Sequence, residues 1–174
     1  LAKVERAHGL QLTSYKQPCL RRRLAVRMRA RGVHTFAAYA ALLDRVPEEY
    51  DLLLDALTIN VTKFFRNPDT YTLLRERVVP DLTAQVAPAV WSAGCATGEE
   101  PYSLAILFTE QAERAGKRAR TRIDATDLDP GALERMRHAE YPAPAVADVP
   151  PDLLARYFSP GPPYRLDARV RRLV

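Results

Sequence analysis

The stretch Val90-Trp91-Ser92-Ala93-Gly94-Cys95-Ala96-Thr97-Gly98-Glu99-Glu100 decides the fold of this chain. It joins a short apolar run, typical of a strand, to a loop with a glycine at each end, and a helical pattern then extends to about residue 115. Glycines between a strand and a helix let the backbone pass close to a ligand. We therefore expect a ligand to contact Gly94 and Gly98, and we expect Trp91 to pack in the core.

A second strand and a second helix follow this unit. Residues 122–126 have the pattern of another strand, and Asp127-Leu128-Asp129-Pro130 begins another helix. An order of strand, loop, helix, strand and helix is typical of an α/β fold with a parallel sheet and crossover helices. The sequence therefore predicts part of such a domain.

The first part of the chain has the pattern of a small helical bundle. Apolar residues recur every four positions from Leu20 to Met28, which indicates one face of a helix. Thr35 can cap the next helix, and Pro47 can open a third at its first turn. We expect a helical domain over residues 1–57 and an α/β domain over residues 58–174.

The end of the chain differs in composition from the rest. Seven prolines fall between residues 142 and 163, with a short helical pattern at 151–158. Residues 164–166 and 170–174 alternate weakly between apolar and polar side chains, which favours strands. We predict that these two segments pair as an antiparallel hairpin.

Positive charge is concentrated at the start of the chain. Residues 1–31 contain nine Lys or Arg and one acidic residue, whereas the remainder is slightly acidic. Arg23, Arg27 and Arg31 share one helix face, because they are four positions apart. This face can bind an acidic protein surface or nucleic acid, or it can be a solvated face whose arginine stems cover apolar surface. No aromatic residues alternate with the arginines, which weakens the case for single-stranded nucleic acid.

Composition excludes several classes of protein. No apolar run reaches the roughly 20 residues that a membrane helix needs. Two cysteines make neither a disulfide framework nor a metal cluster, so we expect a reduced, cytoplasmic protein without a metal. The chain starts at Leu1 and stops in a basic stretch, so we interpret it as a piece of a longer protein.

The glycine loop differs from loops that bind phosphate. Ala96 replaces the second glycine of the dinucleotide fingerprint, and no Gly-Lys-Ser/Thr follows. Glu99 and Glu100 at the helix start would repel a phosphate and favour a ligand with cationic or hydroxyl groups. S-adenosylmethionine (SAM) fits, because it has a sulfonium, an ammonium and ribose hydroxyls but no phosphate. Asp127 can accept hydrogen bonds from the ribose, or it can merely cap the following helix.

Three segments together resemble the chemotaxis receptor methyltransferases, the CheR family. They are Asn60-Val61-Thr62-Lys63-Phe64-Phe65-Arg66, the thirteen residues from Trp91 to Ser103, and Ala125-Thr126-Asp127-Leu128-Asp129. The resemblance implies a helical N-terminal domain followed by a class I, Rossmann-like methyltransferase domain, here truncated, with a small β-subdomain to which residues 142–174 are similar. It also implies methyl transfer from SAM to glutamate side chains of chemoreceptors, with S-adenosylhomocysteine as the product.

The resemblance implies specific site residues. Its cofactor contacts correspond to the residues Asn60, Thr62, Arg66, Glu100 and Asp127. A glutamate carboxylate is ionised at neutral pH and needs no general base, so positioning carries the catalysis. Arg66 is suited to orient a carboxylate, and we expect it to act in the chemistry as well as in cofactor binding.

The resemblance further implies that the N-terminal domain contacts the glutamate-rich methylation helices of the receptor. We expect Arg23, Arg27 and Arg31 to dock there, and we expect a monomer with no nucleic acid partner and no membrane insertion. The short loop Ser159–Pro163 favours a protein that does not need a receptor C-terminal tether. Two alternatives stay open: a cofactor-binding regulatory module without methyl transfer, and a nucleic-acid methyltransferase that uses the basic helix.

Overall fold

The chain folds as two compact units, residues 1–59 and residues 60–174. The computed structural model describes residues 15–57 and 62–174. Asn60, predicted to contact the cofactor, lies outside the described residues.

Three helices build the described part of the first unit. They are α1 (Gln17–Ala30), α2 (Phe36–Arg45) and α3 (Glu48–Leu57). The Thr35 hydroxyl accepts a hydrogen bond from the amide of Ala38, so the predicted cap of α2 is confirmed. A small apolar core holds the three helices together; its buried members are Leu20, Met28, Tyr39, Leu43, Leu53 and Leu57.

A helical segment with an irregular middle begins the second unit. It consists of α4 (Pro68–Leu73), a π-helical turn (Leu74–Val78) and α5 (Val79–Thr83). Pro80 has no backbone N–H to donate to the preceding turn, and the helix widens just before it.

The predicted α/β unit follows and is confirmed. Its elements are β1 (Ala89–Ala93), α6 (Glu99–Arg114), β2 (Arg122–Thr126) and α7 (Pro130–His138). The two strands are parallel and are paired in register along their whole length. Because they are parallel, their carboxyl ends lie at the same edge of the sheet, where the glycine loop begins.

Trp91 lies on the surface, so the prediction that it packs in the core is wrong. The residue is 70% exposed, and its indole N–H donates to the Thr126 hydroxyl at 3.0 Å. Side chains alternate between the two faces of a strand, and the buried Ser92 points to the opposite face from Trp91. Within the described residues, no element covers the face that carries Trp91.

The C-terminal part contains β3 (Glu140–Tyr141), a 3₁₀ turn (Ala143–Val146), α8 (Pro151–Tyr157), β4 (Tyr164–Arg165) and α9 (Ala168–Arg171). The short helix at 151–158 is confirmed to within one residue.

The predicted hairpin of residues 164–166 with 170–174 is wrong. Tyr164–Arg165 pairs instead with Glu140–Tyr141, more than twenty residues earlier in the chain. The Asp167 carboxylate accepts from the amide of Arg169 at 2.7 Å and so starts a helix where a strand was expected. That helix turns Val170 fully into the core.

Aromatic side chains connect the segment before α4 to the C-terminal part. The Phe64 ring meets Tyr141 edge to face at 4.8 Å between centroids, and it meets Phe158 in the same way at 5.0 Å. Such pairs stabilise a structure beyond their buried area. Residues 62–66 are thereby held beside the glycine loop.

Candidate cofactor site

The glycine loop is fixed to the end of β2. The amides of Gly94 and Cys95 both donate to the Thr126 carbonyl, at 2.8 and 3.0 Å. Gly94 and Gly98 have positive φ angles of 73° and 93°, which glycine adopts most readily. A Cβ on Gly94 would meet no atom within 4 Å, so the loop is open to a ligand there.

Gly98 has a different role, because no side chain fits at its position. A Cβ would lie 2.3 Å from Cγ of Met136 and 3.0 Å from the ring of Tyr102. This glycine therefore lets the start of α6 pack closely on α7.

Asp127 does not cap the helix that follows it. That role belongs to Asp129, whose carboxylate accepts from the amide of Ala132 at 3.1 Å. Asp127 accepts one hydrogen bond at each oxygen, from the amides of Ala96 (2.8 Å) and Asp129 (2.9 Å). Each carboxylate oxygen has two lone pairs, so Asp127 can still accept from ribose hydroxyls.

The two glutamates at the start of α6 lie in different surroundings. Glu100 is exposed and accepts from the Ser92 hydroxyl at 2.7 Å. Glu99 is buried, and it accepts from the Thr97 hydroxyl at 2.6 Å. Burial raises the pKa of Glu99 above its ordinary value, which favours its neutral form. Both glutamates were expected to act on the ligand through their charge, but only Glu100 was predicted as a direct cofactor contact.

A cavity of about 630 Å³ lies beside the loop. Thr62 and Arg66 line it, as do Thr97 and Glu99 from the loop and the start of α6. Its opposite wall comes from the end of α7, from β3 and from the turn after β3; these residues are Arg135, His138, Glu140, Tyr141, Pro142, Pro144 and Ala145. The structure thus brings two predicted residues, Thr62 and Arg66, into one cavity.

The predicted residues divide into two groups. Gly94 and Asp127 directly follow the two strands and Glu100 lies in the first turn of α6; none of the three is part of the cavity lining. The loop is the link, because the amide of Ala96 contacts Asp127 while Thr97 lines the cavity. A ligand that touches both groups must cross this loop.

Contacts with α6 hold the backbone beside Arg66 in an unusual conformation. Phe65 and Asn67, on either side of it, both have positive φ angles, 52° and 64°, which are uncommon outside glycine. The Phe65 amide donates to the Ser103 hydroxyl at 3.0 Å, and that hydroxyl donates to the Glu99 carbonyl at 2.6 Å. The chain carrying Arg66 is therefore attached to α6.

Tyr141 and Cys95 support the loop. The Tyr141 hydroxyl donates to the Thr97 carbonyl at 2.9 Å, and burial raises the pKa of this phenol, so it stays a donor. Cys95 is buried, and burial raises the pKa of its thiol to about 11. A protonated, buried thiol is a poor nucleophile, which agrees with a structural role for this cysteine.

The basic face of α1 turns toward α3. Arg23 donates to the Ala56 carbonyl at 3.0 Å, and both Arg27 and Arg31 pair with Glu49, which is fully buried. These contacts give the three arginines a role inside the bundle, and their docking role stays a prediction. Of the three, only Arg31 is exposed, and the other exposed arginines of this segment are Arg21, Arg22 and Arg29.

Comparisons with known proteins identify the family. Residues 60–174 match the family described as "CheR methyltransferase, SAM binding domain", and residues 1–58 match "CheR methyltransferase, all-alpha domain". The 104.1 kDa protein in the hypE 3′ region of Rhodobacter capsulatus is 38% identical over 165 residues, which are 92% of this chain and 17% of that protein.

Two named relatives are chemotaxis enzymes. Chemotaxis protein methyltransferase 2 of Pseudomonas aeruginosa is 35% identical over 159 residues, 91% of this chain. The chemotaxis protein methyltransferase of Klebsiella aerogenes is 34% identical over 171 residues, 94% of this chain. The chain spans 56% of the length of each. Among the residues described, no helix is long and apolar enough to cross a membrane. With both of its units matched, this chain belongs to the CheR methyltransferase family.

Proposed function

We propose that this protein is a SAM-dependent O-methyltransferase that forms methyl esters on glutamate side chains of chemoreceptors, in the cytoplasm. The observation that carries the proposal is the match of residues 60–174 to the SAM-binding domain of the CheR methyltransferases. The names of the relatives from P. aeruginosa and K. aerogenes support the same chemistry.

The residues around the glycine loop fit SAM. Asp127 has free lone pairs at the end of β2, and Gly94 leaves open space beside it. The carboxylates of Glu99, Glu100 and Asp127 all help to raise the pKa of the Cys95 thiol, so the loop lies in a region of negative charge. Such a site favours a sulfonium and an ammonium and disfavours a phosphate.

The proposed cofactor contacts among the described residues lie around this loop and the adjacent cavity. They are Thr62, Arg66, Gly94, Gly98, Glu100 and Asp127; Asn60, outside the described residues, is proposed from the family resemblance alone. When bound, SAM supplies a methyl group on a positively charged sulfur. The protein must hold a substrate carboxylate in line with that methyl–sulfur bond and keep water away.

Arg66 is the proposed residue for orienting the substrate. It lines the cavity, and a guanidinium can hold a carboxylate through two parallel hydrogen bonds. Glu99 lines the same cavity, and burial raises its pKa above the ordinary value. No general base is needed, because the substrate glutamate is already ionised at pH 7.

We further propose that the N-terminal helix α1 docks on the acidic receptor helices. The proposed contacts are Arg23, Arg27 and Arg31. Arg27 and Arg31 both pair with Glu49, and Arg31 is the more exposed of these two. The outward arginines, Arg21, Arg22 and Arg29, extend this basic surface.

The test measures cofactor binding and methyl transfer on the full-length protein. Calorimetry with SAM and S-adenosylhomocysteine is compared for wild type, Asp127→Ala and the control Asp124→Ala, an exposed carboxylate of β2 paired with Arg122. We expect Asp127→Ala to weaken binding at least tenfold and Asp124→Ala to change it less than twofold.

Transfer of a radiolabelled methyl group to a receptor cytoplasmic fragment tests the activity. A label that is attached to receptor glutamate side chains and is released by base supports the proposed methyl-ester formation. Normal cofactor binding without transfer to any receptor would favour a regulatory module, and label in RNA instead of receptor would favour a nucleic-acid methyltransferase. Absence of cofactor binding by the wild type would refute the methyltransferase assignment.

A further inference from the structure

A second large groove lies at the edge of the sheet opposite the cofactor site. It has a volume of about 600 Å³ and is formed by residues 83–88, just before β1, and residues 117–121, just before β2. Both segments lead into the amino ends of parallel strands, whereas the glycine loop leaves a carboxyl end. Five-residue strands separate the two edges by roughly 15 Å. This groove, here called the amino-edge groove, is therefore distinct from the cofactor site.

Three cations form one wall of the amino-edge groove: Lys117, Arg118 and Arg120. All three are exposed, and none of their side chains forms an ion pair or hydrogen bond with any residue that the structure describes. No described Asp or Glu lines this groove. Unneutralised positive charge in a concave surface attracts anionic partners.

Other arginines of the second unit are differently placed. Arg156 pairs with Glu110, and Arg169 pairs with Asp167. The cations of the amino-edge groove differ from these two arginines, because no described acidic residue lines their groove. A smaller adjoining groove of about 310 Å³ shares Lys117 and Arg118 and adds Arg172; Arg169 and Glu113 also line it and pair with each other.

Apolar residues also line the amino-edge groove. Val86 is 91% exposed, and Ala84, Pro88 and Phe108 line the same groove, together with the polar Gln85. Lone exposed apolar residues are ordinary, but one that lines the same groove as three unpaired cations fits a partner with both carboxylates and an apolar side chain. The only aromatic residue in the described lining, Phe108, is buried, so no ring is available for base stacking.

We propose that the amino-edge groove docks an acidic segment of a partner protein, in which carboxylates flank at least one apolar residue. Lys117, Arg118 and Arg120 bind the carboxylates, and Val86 contacts the apolar side chain. This interaction does not depend on the cofactor, because the groove lies at the other edge of the sheet.

Fluorescence polarisation on the full-length protein tests this proposal. The probes are a labelled peptide of Glu-Glu-Leu repeats, a scrambled-charge peptide of Lys-Glu-Leu repeats, and a labelled 20-nucleotide oligo(dT). The groove variant reverses charge at Lys117, Arg118 and Arg120 (each to Glu). The matched control reverses Arg77, Arg114 and Arg137, three exposed arginines of the second unit that do not line the groove, and Val86→Asp tests the apolar contact.

We expect the groove variant to weaken binding of the acidic peptide at least tenfold and Val86→Asp to weaken it about fivefold, with less than a twofold change in the control variant. Circular dichroism and SAM binding should match the wild type in the groove variant. Equal losses in both charge-reversal variants would overturn the proposal, because net charge alone would then explain binding. Failure of the wild type to bind the acidic peptide, or groove-dependent binding of oligo(dT) that is tighter than that of the peptide, would also overturn it.

Discussion

Arg27 donates from Nε and Nη2 to the carboxylate of Glu49, at 2.8 to 3.0 Å, and Glu49 is fully buried between the helices of the first unit. Arg31 and the Tyr39 hydroxyl complete the carboxylate's contacts, at 2.7 and 2.6 Å. A buried carboxylate with three donors is stable only while they remain, because removing a partner leaves charge uncompensated in a low dielectric.

Replacing Arg27 with Ala should therefore destabilise the first unit by about 3 kcal/mol, at the low end for a broken buried pair, because Arg31 and Tyr39 remain. The measurement is urea unfolding followed by circular dichroism. Arg29→Ala is the matched control, since Arg29 is an exposed arginine of the same helix, and it should cost less than about 0.5 kcal/mol. Equal effects of the two substitutions would contradict the role given to this ion pair.

The same cluster predicts a loss of stability in acid. Burial alone would raise the pKa of Glu49, but hydrogen bonds from Tyr39 and Arg27 outweigh burial, and the pKa is lowered from 4.5. A carboxylate with a lowered folded pKa stabilises the protein above pH 4.5, and this contribution is lost as the pH falls through the folded value. Unfolding of the first unit, followed from pH 7 down to pH 3, should show this loss. Glu49→Gln should flatten the profile, and an unchanged profile would show that Glu49 does not titrate on unfolding.

The sequence predicted those features of the fold that depend on local signals. The strand–loop–helix order around residues 90–100 and the Thr35 cap are confirmed, because each depends on neighbours within a few positions. Spacing also showed that Arg27 and Arg31 share a helix face, but it did not show which way the face turns. Its direction is set by Glu49, on another helix.

The predictions that were wrong depend on contacts between distant parts of the chain. Tyr164–Arg165 pairs with Glu140–Tyr141, and no short-range pattern identifies a partner so far away. Trp91 was placed in the core from its apolar character, although burial depends on whether another element covers its face of the strand. At the candidate site, Asp127 was predicted from its place after β2 and stays a prediction, whereas the sequence did not predict that Glu99 lines the cavity, since the direction of each glutamate side chain depends on the packing around α6.

The tight contact at Gly98 makes a steric prediction. Alanine there would place a Cβ 2.3 Å from Cγ of Met136 at a φ of 93°, which non-glycine residues rarely adopt. Gly116 is a matched control, with a φ of 65° and no atom within 4 Å of the added Cβ. Gly98→Ala should destabilise the second unit by roughly 2 kcal/mol more than Gly116→Ala, since overpacking adds to the backbone cost. Thermal unfolding measures the difference, and Met136→Ala in the Gly98→Ala background should recover part of it.

Substitutions of Arg66 can distinguish a role in SAM binding from a role in methyl transfer. It lines the same cavity as Thr62 and Glu99, and the hydrogen bond from the Phe65 amide to Ser103 anchors the adjacent backbone. If Arg66 orients the substrate carboxylate as well as contacting SAM, Arg66→Ala should lower the rate of methyl transfer at least a hundredfold while the Kd for SAM rises by a much smaller factor, less than tenfold. Arg66→Lys keeps the charge but loses the two-pronged geometry, so it should recover only a small part of the rate. If Arg66→Ala instead weakens SAM binding in proportion to the lost rate, Arg66 acts through the cofactor, and its role in orienting the substrate is refuted.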